Sequence, residues 1–190
     1  EAQKKGFYPF CVVMPAAERN LGTVLAHEHI AGRDWTQLRV ITQQIVEAAG
    51  HMHSKGLIHG DIKPLNIMRI GGRFSLIDLD ETVSFVDKQY VGAKYSSGFV
   101  PPEMVAVLDD STAVIRTYTT DNVSGEPVLE GLKYDLVPAH PAHDMWSLGV
   151  TLFQLCSASP LFLMDVSDSI DSDSLQRLAA WHDSFKSGKL

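Results

Sequence analysis

Residues 59–66 read His-Gly-Asp-Ile-Lys-Pro-Leu-Asn. Within them an acid (Asp61), a lysine (Lys63) and an amide (Asn66) stand at fixed offsets; an apolar run precedes them and Ile67-Met68-Arg69-Ile70 follows. A second acid, Asp78, closes another apolar run, with Asp80 two residues on. Phosphoryl transfer from a metal-bound nucleotide needs such a set. One carboxylate orients the acceptor hydroxyl, and another holds the metal. An amide helps to hold it, and a cation balances the phosphate charge. The plainer reading makes Asp61 and Asn66 loop residues and Lys63 a solvated surface lysine. Their grouping favours chemistry, and an acid ending an apolar strand needs a reason.

The elements that must position these groups can be read from the pattern of apolar residues. Residues 7–14 are apolar and end at Pro15, which reads as a strand. Residues 21–30 are a short helix candidate closed by Gly32. Asp34 is the expected N-cap of a longer helix, because Leu38, Ile41, Ile45, Ala48, Ala49 and Met52 fall at three- and four-residue steps. Gly56, after Lys55, is placed to close it. Two short apolar runs flanking Gly71-Gly72 give a hairpin over residues 67–77. The candidate site therefore lies between a helix and a hairpin, with Asp78 just past the second strand.

Further along, Pro101-Pro102 breaks the chain, and residues 103–108 are expected to start a helix. Residues 109–143 read as a loop-like insertion. Within it, 114–120 is strand-like and 124–127 a turn, as in an inserted hairpin. Residues 144–156 are apolar all round, which predicts a buried central helix. Residues 168–173 read as an acidic loop and 174–185 as an amphipathic helix. The expected class is mainly α with a small β-hairpin element, in one partial domain.

Composition narrows the function classes. The chain has 190 residues, is 45% hydrophobic and carries a formal charge of −7. The size suits one core-bearing domain. The charge argues against general nucleic-acid binding, which needs a basic field. No apolar run is long enough to span a membrane, and the first residues show no signal-peptide pattern. The absence of an initiator Met suggests a piece of something longer. Cys11 and Cys156 each sit in an apolar run, which predicts two buried free thiols and an intracellular, cytoplasmic setting. The histidine pairs 27/29 and 51/53 are poor metal candidates, because an i, i+2 pair on a helix faces two ways. His140 and His143 read as loop histidines. Asp168, Asp171 and Asp173 lack the Gly and Glu of a calcium loop and read as solvated.

The chain resembles a eukaryotic protein kinase of the Ser/Thr type, and only its larger, helical lobe. Residues 59–66 resemble the catalytic loop H-R-D-x-K-P-x-N, and Asp78-Leu79-Asp80 resembles D-F-G. Pro101-Pro102-Glu103 resembles A-P-E, and residues 144–150 resemble D-x-W-S-x-G-V. The resemblance runs from about Phe10 to the C-terminus. It implies a protein-kinase-like C-lobe (α+β) without the small lobe. Residues 1–20 would be the last small-lobe strand and hinge, and 21–190 the large lobe to about helix αG.

Roles carry over with it. Asp61 would be the catalytic base, and Lys63 would contact the transferring phosphate. Asn66 and Asp78 would hold magnesium. Ala16 would meet the adenine at the hinge, Met68 would pack beneath it, and Val13 would be the gatekeeper. Ser96 falls where a substrate-facing Ser or Thr lies, and Asp144 would hold catalytic-loop backbone. His59 would be a packing residue. The implied partners are ATP, Mg2+ and a protein substrate with a Ser or Thr hydroxyl.

The departures are as telling. Gly60 replaces the Arg that usually meets an activation-loop phosphate, and Asp80 replaces the Gly after the metal-binding acid. The 190 residues contain no G-x-G-x-x-G and no V-A-I-K lysine, so this stretch alone is expected to be inactive. Two other readings stay open. One is a pseudokinase scaffold, favoured by Gly60 and Asp80. The other is a small-molecule phosphotransferase of the aminoglycoside or choline kinase type, suggested by His-Gly-Asp and Ile-Asp-Leu-Asp-Glu.

Overall fold

The computed structural model describes residues 11, 13–121 and 123–181. The short strand β1 (Arg19–Asn20) leads into helix α1 (Leu21–Glu28), whose N-cap Asn20 accepts the Thr23 N–H at 2.7 Å. Helix α2 (Trp35–Ser54) starts at Asp34, whose carboxylate accepts the Gln37 N–H, as the sequence suggests. It ends at Lys55, and Gly56 follows at φ +78. Strand β2 (Leu57–Ile58) feeds the candidate loop. A single 3-10 turn over Pro64–Asn66 closes that loop. The hairpin β3 (Ile67–Ile70) and β4 (Arg73–Leu76) follows, with Ile70 opposite Arg73. Gly71 and Gly72 both have positive φ, as a two-residue hairpin turn requires.

Residues 79–140 carry more strand than the sequence reading allows. Strand β5 (Val83–Ser84) pairs with β2, and β6 (Tyr90–Val91) pairs with a later strand. The helix expected over 103–108 is absent. A 3-10 turn, Pro102–Met104, gives way to β7 (Val105–Val107), which pairs with β8 (Ala113–Ile115). The β-branched valines suit a pleated surface, and the turn between them contains no glycine to announce it. Ser111 takes the left-handed conformation there, at φ 66. A second hairpin joins β9 (Thr119–Thr120) to β10 (Pro127–Val128), and β11 (Val137–Pro138) returns to β6. The domain is thus helical at its centre with several small antiparallel sheets, beyond the hairpin over 67–77 and the inserted one expected within 109–143.

Helix α3 (Pro141–Ser157) starts three residues ahead of the expected position. His140 is its N-cap, and Pro141 is its first residue. His143 is therefore a buried first-turn residue rather than a loop histidine. Nor is the helix buried all round: Met145 is 55% exposed and Cys156 is exposed. Helix α4 (Ser172–Ala179), capped by Asp171, is shorter than expected, and the end of the predicted span lies outside the described residues.

Other expectations are corrected at the edges. Helix α1 stops at Glu28, short of the expected end, because His29 rather than Gly32 closes it in the left-handed conformation, at φ 51. The expected strand 7–14 lies mostly outside the described residues. Its described members Cys11, Val13 and Met14 are exposed and not in a strand. Neither cysteine is buried.

Two apolar clusters meet at α3. One gathers Leu21, Val24, Leu38, Ile41, Ile45, Ile62, Ile67 and Phe74 with Leu148 and Leu155 of α3. The other gathers Ile58, Phe99, Val100, Met104, Phe162 and Leu178 with Val150 of α3. Ile58 and Ile62, both fully buried, thus sit in different clusters on either side of residues 59–61. Burial of each is worth about 2–3 kcal/mol, so the intervening loop is pinned at both ends.

Candidate active site

The loop between those anchors is held mainly through Asp144 in the first turn of α3. That carboxylate is fully buried. Its Oδ2 accepts the His59 N–H at 2.8 Å, and its Oδ1 accepts the Gly60 N–H at 3.0 Å. His53 Nε2, from the last turn of α2, meets Oδ2 at 2.8 Å. His59 is also fully buried. Its Nε2 lies 3.0 Å from the Ile77 carbonyl, and its Nδ1 accepts the Asp61 N–H at 3.3 Å. With Nδ1 accepting, Nε2 is the nitrogen placed to donate to the Ile77 carbonyl. His59 therefore ties the catalytic-looking loop to the end of the hairpin.

Gly60 has φ +84, and a Cβ there would collide with the Glu81 carbonyl. A side chain at this position is excluded both by the backbone conformation and by the closeness of residue 81. Glu81 is itself mostly enclosed. Burial pushes its carboxyl up, while Lys94 pulls it back down.

Asp61, Lys63 and Asn66 come together. Asn66 Nδ2 donates to the Asp61 carbonyl at 3.0 Å and to Asp61 Oδ2 at 2.9 Å. Lys63 Nζ lies 3.1 Å from the same Oδ2. Lys63 also donates to Ser96 Oγ, so residue 96 joins the site as its position suggests. These bonds leave Asp61 Oδ1 and the Asn66 amide oxygen without a protein donor among the described residues. The Ile77 N–H donates to the Asn66 carbonyl at 2.9 Å, which sets Asp78 one residue beyond that link. Asp78 is exposed, has φ 64 and makes no ion pair among the described residues. The oxygens of Asn66 and Asp78 are hard donors of the kind magnesium takes.

The family resemblance can be tested against known proteins at this point. Residues 6–124 match the model of the protein kinase domain. The chain belongs to the protein kinase family. The matched segment holds residues 59–66, Asp78 and residues 101–103, and it ends before α3.

Among the relatives is the serine/threonine-protein kinase TIO of Arabidopsis thaliana, 28% identical over 80% of the chain and 10% of the relative. Another is the probable serine/threonine-protein kinase mps1 of Dictyostelium discoideum, 26% identical over 66% of the chain and 11% of the relative. A third is the serine/threonine-protein kinase ATG1 of Eremothecium gossypii, 28% identical over 71% of the chain and 13% of the relative. The chain therefore spans only about a tenth of the length of these three relatives.

The remaining kinase-derived positions are less enclosed. Ala16 is exposed and Val13 is 91% exposed. Met68 is half-buried in the three-stranded sheet, opposite Asn20 of β1. Two neighbours of the site escaped the sequence reading. His53, weighed only as half of a histidine pair, supports Asp144. Asp168, read as a solvated loop acid, lies 3.4 Å from Lys63 Nζ. The spacing of apolar residues on α2 could have pointed His53 inward. No local signal marks Asp168, because its contact spans over a hundred residues of chain. No helix among the described residues is long and apolar enough to cross a membrane.

Proposed function

We propose that this chain is the large lobe of a Ser/Thr protein kinase that transfers the γ-phosphate of ATP to a protein hydroxyl. The observation that carries this reading is the Asp61–Asn66–Lys63 cluster. One oxygen of Asp61 is fixed by an amide and an ammonium, and the other is left for an acceptor. Asp61 would align the hydroxyl and take its proton. Lys63 would offset charge on the phosphate in flight. Asn66 and Asp78 would hold Mg2+, which when bound bridges phosphate oxygens and neutralises their charge. Ala16 and Met68 would flank the adenine, with residues 1–20 leading in from a small lobe and 109–143 inserted into the large one. The 190 residues alone carry no glycine-rich phosphate loop and would turn over poorly.

The test is phosphate transfer from Mg-ATP to Ser- and Thr-containing peptides by the full-length polypeptide. Asp61→Asn is expected to lower kcat by about 10²–10⁴-fold. A variant as fast as the wild type would overturn the assignment of Asp61.

A further inference from the structure

Lys63 is shared. Its ammonium touches Asp61, Ser96 and Asp168, and the last of these reaches it from the loop between α3 and α4. That loop is braced by hydrogen bonds of its own. Asp165 Oδ1 accepts the N–H groups of Ser167 and Ser169, and Asp168 sits in the left-handed conformation at φ 58. It is also fastened to the segment that carries Ser96. The Gly98 N–H donates to the Asp168 carbonyl at 3.1 Å, and the Ile170 N–H donates to Ser97 Oγ at 2.8 Å. Met164 fills the space where a side chain on residue 98 would stand.

The Asp168 carboxylate is 19% exposed, and Lys63 is its cation among the described residues. Under the proposed reaction, Lys63 must turn its charge to the transferring phosphate. Asp168 would then be left beside the site as a half-enclosed anion without a counter-charge, its loop held in place by the bonds to Ser97 and Gly98. An unpaired enclosed charge is unfavourable unless another cation replaces the first.

We infer that Asp168 is a specificity-determining residue that selects a cationic side chain close to the acceptor hydroxyl. This inference rests on the reading of the site as a protein kinase centre. Asp168 lies one ammonium away from Asp61, the residue that would hold the hydroxyl. An extended peptide advances about 3.3 Å per residue, so the selected Arg or Lys belongs one or two residues from the acceptor.

The test uses the full-length polypeptide and one Ser peptide carrying Arg, Ala or Glu in turn at the two positions on either side of the Ser. The wild type is expected to favour Arg over Ala by about tenfold in kcat/KM at one of those positions at least. Asp168→Asn should bring that ratio to within about twofold, because the anion that an Arg would pair with, and that an Ala leaves unpaired, is gone. Asp168→Lys should shift the preference toward Glu. Turnover without an Arg preference in the wild type, or a preference that survives Asp168→Asn, overturns the inference alone. If the wild type phosphorylates none of the peptides, the inference falls together with the reading beneath it.

Discussion

Two stretches of this kinase chain hold the acids that matter most, and they are treated in opposite ways. Residues 59–66 are held by internal bonds: Asp144 grips two of their N–H groups, His59 is fully buried, and one oxygen of Asp61 is clasped by Asn66 and Lys63. The Asp78-Leu79-Asp80 stretch is exposed. Leu79 is 58% exposed, and Asp80 meets only Lys94 at the surface among the described residues. A group whose work is to aim something must already be aimed, so its bonds are internal. A group whose work is to hold a cation must keep its oxygens uncommitted. Under the proposed reading, the contrast would set Asp61, aimed by its internal bonds, apart from Asp78, whose oxygens stay open for a cation.

The largest expected effect breaks the bound stretch. Asp144→Ala would leave the His59 and Gly60 N–H groups without their acceptor and His53 without its partner. A loss of about 3–5 kcal/mol in urea unfolding is expected. A loss below about 1 kcal/mol would mean that the loop is held by something else.

Gly60→Ala comes next, at about 2 kcal/mol or more, from the positive φ and the collision with residue 81. Gly71→Ala is the control. Its φ is also positive, but open space surrounds it, so only about 1 kcal/mol should be lost. Equal losses would show that the Glu81 contact carries no weight.

A smaller effect is a pH dependence at the joint between the loop and α3. Burial pushes the His143 imidazole down from 6.5, and Asp144, Glu103 and Asp61 only partly oppose this. The folded chain keeps the ring neutral where the unfolded chain takes up a proton. Stability should therefore fall as pH drops below about 6.5. His143→Gln should flatten that decline in melting curves taken between about pH 7.5 and 5.5. Glu81 has the opposite sign: its raised pKa means that the folded state binds more protons, which favours it as pH falls. The difference between wild type and His143→Gln therefore isolates the histidine. Identical slopes would remove the histidine from the account.

Much of this was legible in the chain, for reasons that differ by element. Helix α2 and the β3–β4 hairpin declare themselves because their signals are local: a capping Asp34, a run of apolar steps, two glycines between short strands. The grouping of Asp61, Asn66 and Lys63 follows from their closeness in sequence. What was missed depends on distant partners. The valines 105 and 107 belong to a strand only because residues 113–115 lie alongside. Cys156 is exposed because α3 buries only part of its circumference, which composition cannot show. Asp168 looks solvated until Ser97 and Gly98 are seen to hold its loop against Lys63.

Asp78 gives the sharpest trial of the division between bound and uncommitted acids. Magnesium-dependent ATP binding and melting temperature would be measured side by side for the full-length polypeptide and its Asp78→Asn variant. The account predicts unchanged melting, within about 0.5 kcal/mol, with ATP affinity at fixed magnesium lowered by about tenfold or more. Wild-type affinity at the same magnesium concentration in the folded variant would contradict it.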